Sequence, residues 1–391
     1  MKGKWPVVSG ALLVTGVVSA FVLAIAPAGR SASAVSAVGA PFALTSGTPD
    51  IKSAGVLAFG PDNVLFIGDS DAGAVFAVQV PDAGPAAGTP RFRVDAFDTK
   101  LAQALGTTPD TLRIRDLAVH PRSRDSYVTV AVTRPSGEES VLVKVTPAGA
   151  VERVALAQVP FSKAEIANAP TAADKDRGGD PLRPLTITDM SYSDGQLFVA
   201  GLSGEGFGST FRRLPFPFAS RAGAGMTGVE IYHTSHSRYE TQSPITAFLP
   251  LQLGGAPHLL AGYTCAPLAT FPMAELTSRP KVRGKTIAEL GGGNRPLDMI
   301  ELTYNGKRHV YIANSHRTLM RMAVDDIERA APMTTAVPDA YVAAGAPYVA
   351  IAMVGVLQLD KLDAGHFVSL RRDTASGRLT LESHPASMFW Q

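Results

Sequence analysis

The chain has 391 residues, of which 46% are hydrophobic and 18% charged, and its formal net charge is +2. This near-neutral balance argues against nucleic acid as the main partner. The 37 glycines and 29 prolines, together with few helical patterns, indicate an all-β chain with many turns. The single cysteine, Cys265, cannot form an internal disulfide, so it is either a buried small hydrophobe or a reactive thiol.

Residues 1–34 have the organisation of a targeting segment. Two lysines precede an uncharged stretch, 6–26, and the small residues 32–34 offer a cleavage site. We therefore expect export, either to the periplasm or out of the cell. Because about 20 apolar residues also suffice to span a bilayer, cleavage and a retained membrane anchor both stay open. The Ala/Ser-rich stretch 35–49 is predicted to be a flexible linker.

The segment 64–80 defines the structural unit of the chain. Its apolar residues alternate with their neighbours in two short runs, as in β-strands. The turn 69–73 between the runs contains two aspartates, which bond nearby backbone, and Gly73, which tolerates a positive φ. A further short apolar run, 56–59, precedes the polar turn 60–63. The unit is therefore strand, tight turn, strand, polar turn, strand.

This plan returns five times down the chain, with first strands at 112–119, 185–192, 245–251, 296–302 and 348–353. Six four-stranded repeats of roughly 45–70 residues predict a six-bladed β-propeller over residues 50–391, because each blade buries its faces on its neighbours.

Four further segments carry predictions of their own. An outer strand of the first blade is expected in 92–97 and a helical turn at 325–331. The charged segment 161–183 is expected to be a solvated loop. A seventh blade, near 161–183 or 274–290, stays an alternative.

The turn pattern resembles that of NHL-repeat and gluconolactonase-like (senescence-marker-protein) propellers, above all in LAFGPDNVLFIGDSDAGAVFAV, residues 57–78. The resemblance extends from about residue 49 to the end and implies the fold. The gluconolactonase-like enzymes hold a divalent metal with a Glu in the first inner strand and with Asn and Asp on later blades. The matching strand here, 54–58, carries no acid.

Three first strands share an aspartate near their start: Asp116, Asp189 and Asp298. Because the first strand of each blade lines the axial channel of a propeller, these carboxylates are expected to converge around the axis. Converging carboxylates raise one another's pKa unless a cation lies between them, and a hard cation such as Ca²⁺ suits oxygen ligands. Two interpretations stay open, a Ca²⁺-type metal site and a structural role in capping turns or bonding backbone.

A second set of candidates lies on the turns between the two middle strands of the blades. These residues are predicted to share the face on which the axial aspartates begin, and so to line a ligand-binding funnel. Among them His316 is the candidate general base, because its ordinary pKa lies near neutrality. The predicted ligand-binding residues are Asp69, Asp71, Asn314, His316 and Cys265.

Two other motifs are weaker. His233 and His236 form a metal pair only if their loop turns as a helix, because residues three apart in a strand point to opposite faces. We expect an ordinary loop there. The glycines of 203–209 lack the following helix pattern of a nucleotide-binding loop and predict a hairpin loop.

The favoured function is that of an exported, non-catalytic propeller that binds a small ligand or an exported protein partner at its funnel. The alternative is a Ca²⁺-type metal-dependent hydrolase of lactones or esters, with Asp116, Asp189 and Asp298 as metal ligands and His316 as catalytic base. No other cofactor is predicted. Membrane contact is expected only through the N-terminal segment.

Overall fold

The structure, a computed structural model, describes residues 41–81, 83–88, 91–218 and 223–389. These residues form six sheets around a central axis, antiparallel except for one parallel pair in blade III, which confirms the six-bladed propeller. The predicted signal segment 1–34 and the first part of the predicted linker lie outside the described residues. Among the residues described, no helix is long and apolar enough to cross a bilayer.

Each sheet is one blade, and its first strand contacts the first strands of the neighbouring blades at the axis. From the axis outward, the strands of the first three blades are as follows: blade I, Ala54–Phe59, Val64–Asp69, Ala74–Gln79, Val159–Glu165 and Thr45–Gly47; blade II, Leu112–Val119, Ser126–Arg134, Gly137–Val145 and Val151–Arg153; blade III, Asp189–Ser193, Gln196–Leu202, Ser209–Pro215 and Gly225–His233, the last of which also pairs with Arg238–Glu240 and Lys281–Arg283.

The other three blades are built in the same way. Their strands, again from the axis outward, are as follows: blade IV, Ile245–Leu253, Ala256–Tyr263, Pro267–Pro272, Lys285–Glu289 and Ala344–Gly345; blade V, Pro296–Tyr304, Lys307–Asn314, Met320–Ala323 and Val349–Ala350; blade VI, Val356–Lys361, His366–Arg372, Leu379–Pro385 and Arg93–Val94.

Three short α-helices connect or cover the blades: α1, Phe97–Leu105; α2, Met273–Ser278; and α3, Val324–Arg329. Helix α3 confirms the helical turn expected at 325–331. Five 3₁₀ turns accompany them at Pro41–Ala43, Pro109–Thr111, Arg183–Leu185, Thr234–His236 and Ala386–Phe389.

The turn chemistry of the first blade agrees with its sequence. Gly73 adopts a φ of 62°, which closes the turn between the second and third strands. Asp62 and Asn63 have φ values of 47° and 64° in the turn between the first and second strands. Both residue types tolerate this left-handed region because their short polar side chains bond locally.

The blades do not follow one another around the ring in chain order. Contacts between inner strands, and the clusters of buried side chains between sheets, give the order I, III, IV, V, VI, II and back to I. Blade II therefore lies between blades VI and I. In agreement with this, Phe66 of blade I packs on Tyr192 of blade III, with 5.5 Å between ring centroids.

Outer strands supplied by distant parts of the chain join the blades that lie out of chain order. The prediction that 92–97 completes the first blade is wrong, because Arg93–Val94 pairs with Leu379–Pro385 of blade VI. The segment expected to be a solvated loop begins as strand Val159–Glu165, which completes blade I. Thr45–Gly47, inside the segment predicted as linker, extends the same sheet. These pairings join residues far apart in sequence, and no local pattern specifies them.

Buried apolar side chains fill the space between neighbouring blades. Helix α1, which the sequence pattern did not predict, belongs to the cluster between blades II and VI, where Phe97 and Leu101 are fully enclosed. The helix lies beside the strand Arg93–Val94 that pairs with blade VI, and both follow blade I in the chain. The closure of the ring at blade VI thus depends on a segment from the N-terminal part of the propeller.

We expect Phe97→Ala to destabilise the protein by about 3–5 kcal/mol, because the side chain is fully buried where blades II and VI meet. Urea unfolding followed by circular dichroism measures the change. Tyr341→Ala is the control, since that aromatic side chain is 74% exposed and its loss should cost less than about 0.5 kcal/mol. Equal effects of the two substitutions would contradict the role assigned to α1.

Candidate functional site

Asp116, Asp189 and Asp298 lie at the axis, one from each of three alternate blades of the ring. In the order around the axis, blade III carries Asp189, blade V carries Asp298 and blade II carries Asp116. The first strands of blades II and V have a register shift directly before the aspartate, which turns its side chain relative to the preceding residues. The three carboxyl groups are therefore brought around one axis, as the alignment of the first strands suggests.

Each of these carboxyl groups joins its own blade to the next one. Oδ2 accepts a hydrogen bond from a backbone N–H of the neighbouring inner strand in each case: Leu57 to Asp116 at 2.6 Å, Phe248 to Asp189 at 2.6 Å, and Leu359 to Asp298 at 2.7 Å. The second oxygen of Asp189 and of Asp298 accepts the N–H of the following residue at 2.7 Å. The carboxyl groups thus have a structural role as inter-blade acceptors.

A fourth aspartate, Asp360 of blade VI, belongs to the same axial set. Its Oδ2 accepts the N–H of Val119 of blade II at 2.6 Å, and its Oδ1 accepts the N–H of Lys361 at 2.6 Å. The predicted first strand of the sixth repeat, 348–353, is wrong, because Val349–Ala350 is an outer strand of blade V and the first strand of blade VI is Val356–Lys361. Asp360 therefore fell outside the predicted first strands, and it also lies two positions further along its strand than the other three aspartates. The matching position holds Gln358, whose amide, with Nε2 turned inward, donates to Asp298 at 3.1 Å and Asp116 at 3.0 Å.

The pKa values of all four axial carboxyl groups are raised. Burial raises the pKa of Asp116 to about 7 and that of Asp360 to about 6. Burial also raises the pKa of Asp189 and Asp298 well above the ordinary value, and the nearby carboxyl group of Asp116 acts in the same direction on both. The donated backbone N–H groups oppose this shift, because they favour the ionised form. The protein thus favours the protonated form of all four axial groups more than water does.

The four axial aspartates line one cavity of about 560 Å³. Each is partly accessible to solvent through this cavity and otherwise enclosed by protein. Apolar and aromatic side chains share the wall, and Arg124 and Lys361 add two basic groups. The cavity reaches residues of the turns between first and second strands, such as Gly60 and Asp363, so it extends towards that face of the propeller. Its apolar lining includes Leu57, Phe59, Tyr192, Phe248, Ile300 and Leu359.

The predicted loop residues lie on the turns between second and third strands, at the opposite end of the strands. None of Asp69, Asp71, Asn314, His316 and Cys265 lines the axial cavity. The structure therefore brings together the aspartates predicted as metal ligands, but it does not bring the predicted loop residues to them.

Two of these loop residues stabilise their turns. Asp69 is fully buried and accepts the N–H groups of Lys52, Ser53 and Ala72. Asn314 is buried and its amide oxygen accepts a hydrogen bond from Asn294 at 2.8 Å. Such side-chain bonds to a turn hold its backbone in place.

The remaining three loop residues lie in separate places. Asp71 is exposed, and its backbone carbonyl accepts a hydrogen bond from Arg183 at 2.9 Å. His316 is exposed beside Ser315, whose Oγ lies 2.8 Å from Nδ1, and it lines a surface cavity of about 530 Å³. Cys265 is half-buried; burial raises the pKa of its thiol, and Glu240 and Glu289 raise it further.

The turn expected to be an ordinary loop is a 3₁₀ turn, Thr234–His236, at the end of the outer strand of blade III. This turn stacks His233 and His236 with 3.9 Å between ring centroids. Both Nδ1 atoms lie against one carboxylate, that of Glu240, at 2.8 Å and 2.7 Å. Among the residues the structure describes, these three form the only group of three or more His, Cys, Asp or Glu residues with potential metal-binding atoms within 4.8 Å of one another. The loop thus turns as a helix, which is the condition under which His233 and His236 were predicted to form a metal pair.

No known protein family and no curated protein matches this chain. Among solved structures, it is similar to a chain of the mitotic checkpoint complex, with 11% identity, a TM-score of 0.34, and coverage of 93% of this chain and 99% of that one. It is also similar to the β-propeller domain of Cps50 (Swd1) from Myceliophteria thermophila, with 10% identity, a TM-score of 0.34, and coverage of 84% and 83%. The propeller assignment rests on the sheets of this chain itself.

The axial aspartates give the stability of the protein a definite pH dependence. Because their folded pKa values lie above the ordinary 3.8, the folded state keeps protons that the unfolded chain has released. The resulting stabilisation is present below about pH 4 and, for Asp116, is lost as the pH rises towards 7. We expect the free energy of unfolding to fall by at most about 1.4 kcal/mol per pH unit for each carboxyl group.

Urea unfolding between pH 4.5 and pH 8 measures this slope. Asp116→Asn should flatten it, because that group no longer titrates and its charge no longer acts on Asp189 and Asp298. The slopes, rather than the absolute stabilities, are compared, since the substitution also alters two backbone hydrogen bonds. Parallel curves for the two proteins would contradict the raised pKa of Asp116.

Proposed function

We propose that the protein is a binding propeller whose axial cavity takes a small organic cation, such as a protonated amine or a guanidinium compound. The observation that carries this proposal is that four enclosed carboxyl groups, from four different blades, line one cavity of about 560 Å³. Ligand cavities in proteins commonly have 300–1,000 Å³ and a mostly apolar wall with a few converging polar groups. The volume of this cavity lies in that range, and its wall combines the four converging carboxyl groups with apolar and aromatic side chains.

The charge state of the cavity favours a cation. An ionised carboxyl group is costly in these surroundings, which is why the pKa values of Asp116 and Asp360 are raised. A cation between the groups compensates the charge, and each carboxyl group has lone pairs beyond those used for the backbone N–H groups. Two basic side chains, Lys361 and Arg124, also line the cavity. Their positive charges disfavour a multivalent cation, so the cavity suits a monovalent ligand.

An organic cation fits the wall better than a bare metal ion does. The three metal ligands proposed from the sequence, Asp116, Asp189 and Asp298, are not among the described groups whose ligand atoms lie within 4.8 Å of one another. A larger cation reaches separated carboxyl groups, and its carbon skeleton contacts Phe59, Phe248 and their apolar neighbours. The relationship to NHL-repeat and gluconolactonase-like propellers is proposed from the blade sequence, residues 57–78, alone.

A thermal-shift screen with organic cations, their neutral isosteres and Ca²⁺ at pH 7.5 tests the proposal. We expect at least one organic cation to raise the melting temperature; a ligand at 100 times its Kd contributes about 2.7 kcal/mol. Calorimetric titration then gives the affinity. Stabilisation by Ca²⁺ alone, or by the neutral isosteres equally well, would rule out this ligand class.

Asp298→Asn should weaken the binding of any cation found in the screen. The matched control is Asp69→Asn, because Asp69 is also enclosed and also accepts backbone N–H groups, but lies outside the cavity. Both variants should lose stability, and only the axial one should lose affinity. Equal affinity in the two variants would place the binding site elsewhere.

We also propose that the protein is exported, on the basis of the sequence of residues 1–34. A fusion of residues 1–49 to alkaline phosphatase without its own leader tests this, since that reporter needs an oxidising compartment for its disulfides. We expect activity in intact cells. A fusion that begins at residue 50 is the control, and equal activity of the two fusions would contradict export by this segment.

A further inference from the structure

A second site lies on the outer part of the propeller, where blades III and IV meet. The outer strand of blade III ends at His233, and the following 3₁₀ turn leads to His236 and then to Glu240. Glu289, at the end of the fourth strand of blade IV, faces the same place. The end of blade III, with its turn, and one strand of blade IV therefore bring two imidazoles and two carboxyl groups together.

The two histidines face the same carboxylate. Their Nδ1 atoms lie 2.8 Å and 2.7 Å from the two oxygens of Glu240, so one carboxylate holds both rings. Two imidazoles and one carboxylate are a donor set that Zn²⁺ and similar divalent ions accept. This arrangement comes from a local turn, and Arg238 donates at 3.0 Å to Oε1 of Glu240, the oxygen that also faces His236.

The buried side of His233 supplies an independent observation. His233 is 1% exposed, its Nε2 has no hydrogen-bond partner, and it points to Oε1 of Glu289, 3.6 Å away. That oxygen is also unpartnered, although Glu289 is fully buried and its other oxygen accepts a hydrogen bond from Thr234 at 2.6 Å. A metal-binding histidine commonly presents its second nitrogen to such a carboxylate, which fixes the ring and increases its basicity. This carboxylate–histidine pair is already in place.

We propose that His233, His236 and Glu240 bind a divalent transition-metal ion of the Zn²⁺ class, with Glu289 positioning His233. Metal–ligand bonds of 2.0–2.1 Å in a tetrahedral site separate the ligand atoms by about 3.3 Å. Nδ1 of His233 lies 2.8 Å from Oε2 of Glu240, about 0.5 Å closer than this. A small separation of these two side chains, with His236 moving from Oε1 towards the ion, therefore admits the metal. In the metal-bound state, Glu240 coordinates through Oε2 and keeps Arg238 on Oε1.

The site has an entry path for the ion. The side chain of His236 is 43% exposed, and Glu240 lines a cavity of about 670 Å³ at the surface. Three protein ligands leave the fourth position to water or to another ligand. This site is separate from the axial cavity, since none of its residues lines that cavity.

Metal binding is measured on tag-free protein after treatment with EDTA, by competition for Zn²⁺ with a chromophoric chelator and by the visible spectrum of the Co²⁺-loaded protein. We expect one equivalent of Zn²⁺ and the intense visible bands of four-coordinate Co²⁺. His236→Ala and Glu240→Gln should abolish stoichiometric binding. Glu289→Gln should keep one equivalent but weaken its affinity by about 10–100-fold.

His366→Ala is the matched control, because His366 also pairs with a nearby carboxylate, that of Asp363 at 2.9 Å, in a different blade. It should bind one equivalent of Zn²⁺ with unchanged affinity. His236 lies at the surface, so circular dichroism of His236→Ala should match that of the parent protein. The proposal is overturned if the parent protein binds no equivalent of Zn²⁺, or if His236→Ala binds Zn²⁺ as tightly as His366→Ala does.

Discussion

The propeller depends on carboxyl groups that connect one inner strand to the next. The first strand of a blade has a hydrogen-bonded partner on its outer side only, so backbone N–H groups facing the axis need acceptors from elsewhere. Asp116, Asp189, Asp298 and Asp360 supply them across four of the blade junctions. A typical intramolecular hydrogen bond contributes about 0.5–1.5 kcal/mol, and one accepted by an ionised carboxyl group contributes about 1.5–3 kcal/mol. The same enclosure that makes these bonds effective raises the pKa values, so stability and ligand binding depend on the same side chains.

Non-local pairing closes the ring. Blade II lies between blades VI and I, and the connections on either side of it supply outer strands to those two blades, Arg93–Val94 to blade VI and Val159–Glu165 to blade I. Without these two strands, blade II, which lies out of chain order, would be held only by the packing of its sheet against its neighbours. Helix α1 adds Phe97 and Leu101 to the apolar cluster at the same junction. Closure by strands from distant parts of the chain leaves fewer free sheet edges.

The two proposed sites differ in chemistry because they differ in position. At the axis, four blades contribute carboxyl groups that the channel separates, and the apolar side chains between them suit an organic ligand. At the outer strands of blades III and IV, a single tight turn places two imidazoles and a carboxylate in contact. Such a cluster is small enough for one ion. A rigid scaffold allows the two places to vary independently.

The sequence by itself predicted the propeller, with six blades and seven as an alternative, and the convergence of Asp116, Asp189 and Asp298, because period-two alternation and turn residues are local and recur at equivalent positions. It also specified the turn at Gly73. Only the tertiary structure decided the order of the blades, the destination of Arg93–Val94 and the helix that begins at Phe97, since these depend on contacts between distant segments. Asp360 was not predicted because the first strand of its blade was placed at 348–353 instead of Val356–Lys361. The pairing of His233 with His236 and Glu289 was not predicted because it requires a 3₁₀ turn and a strand from another blade.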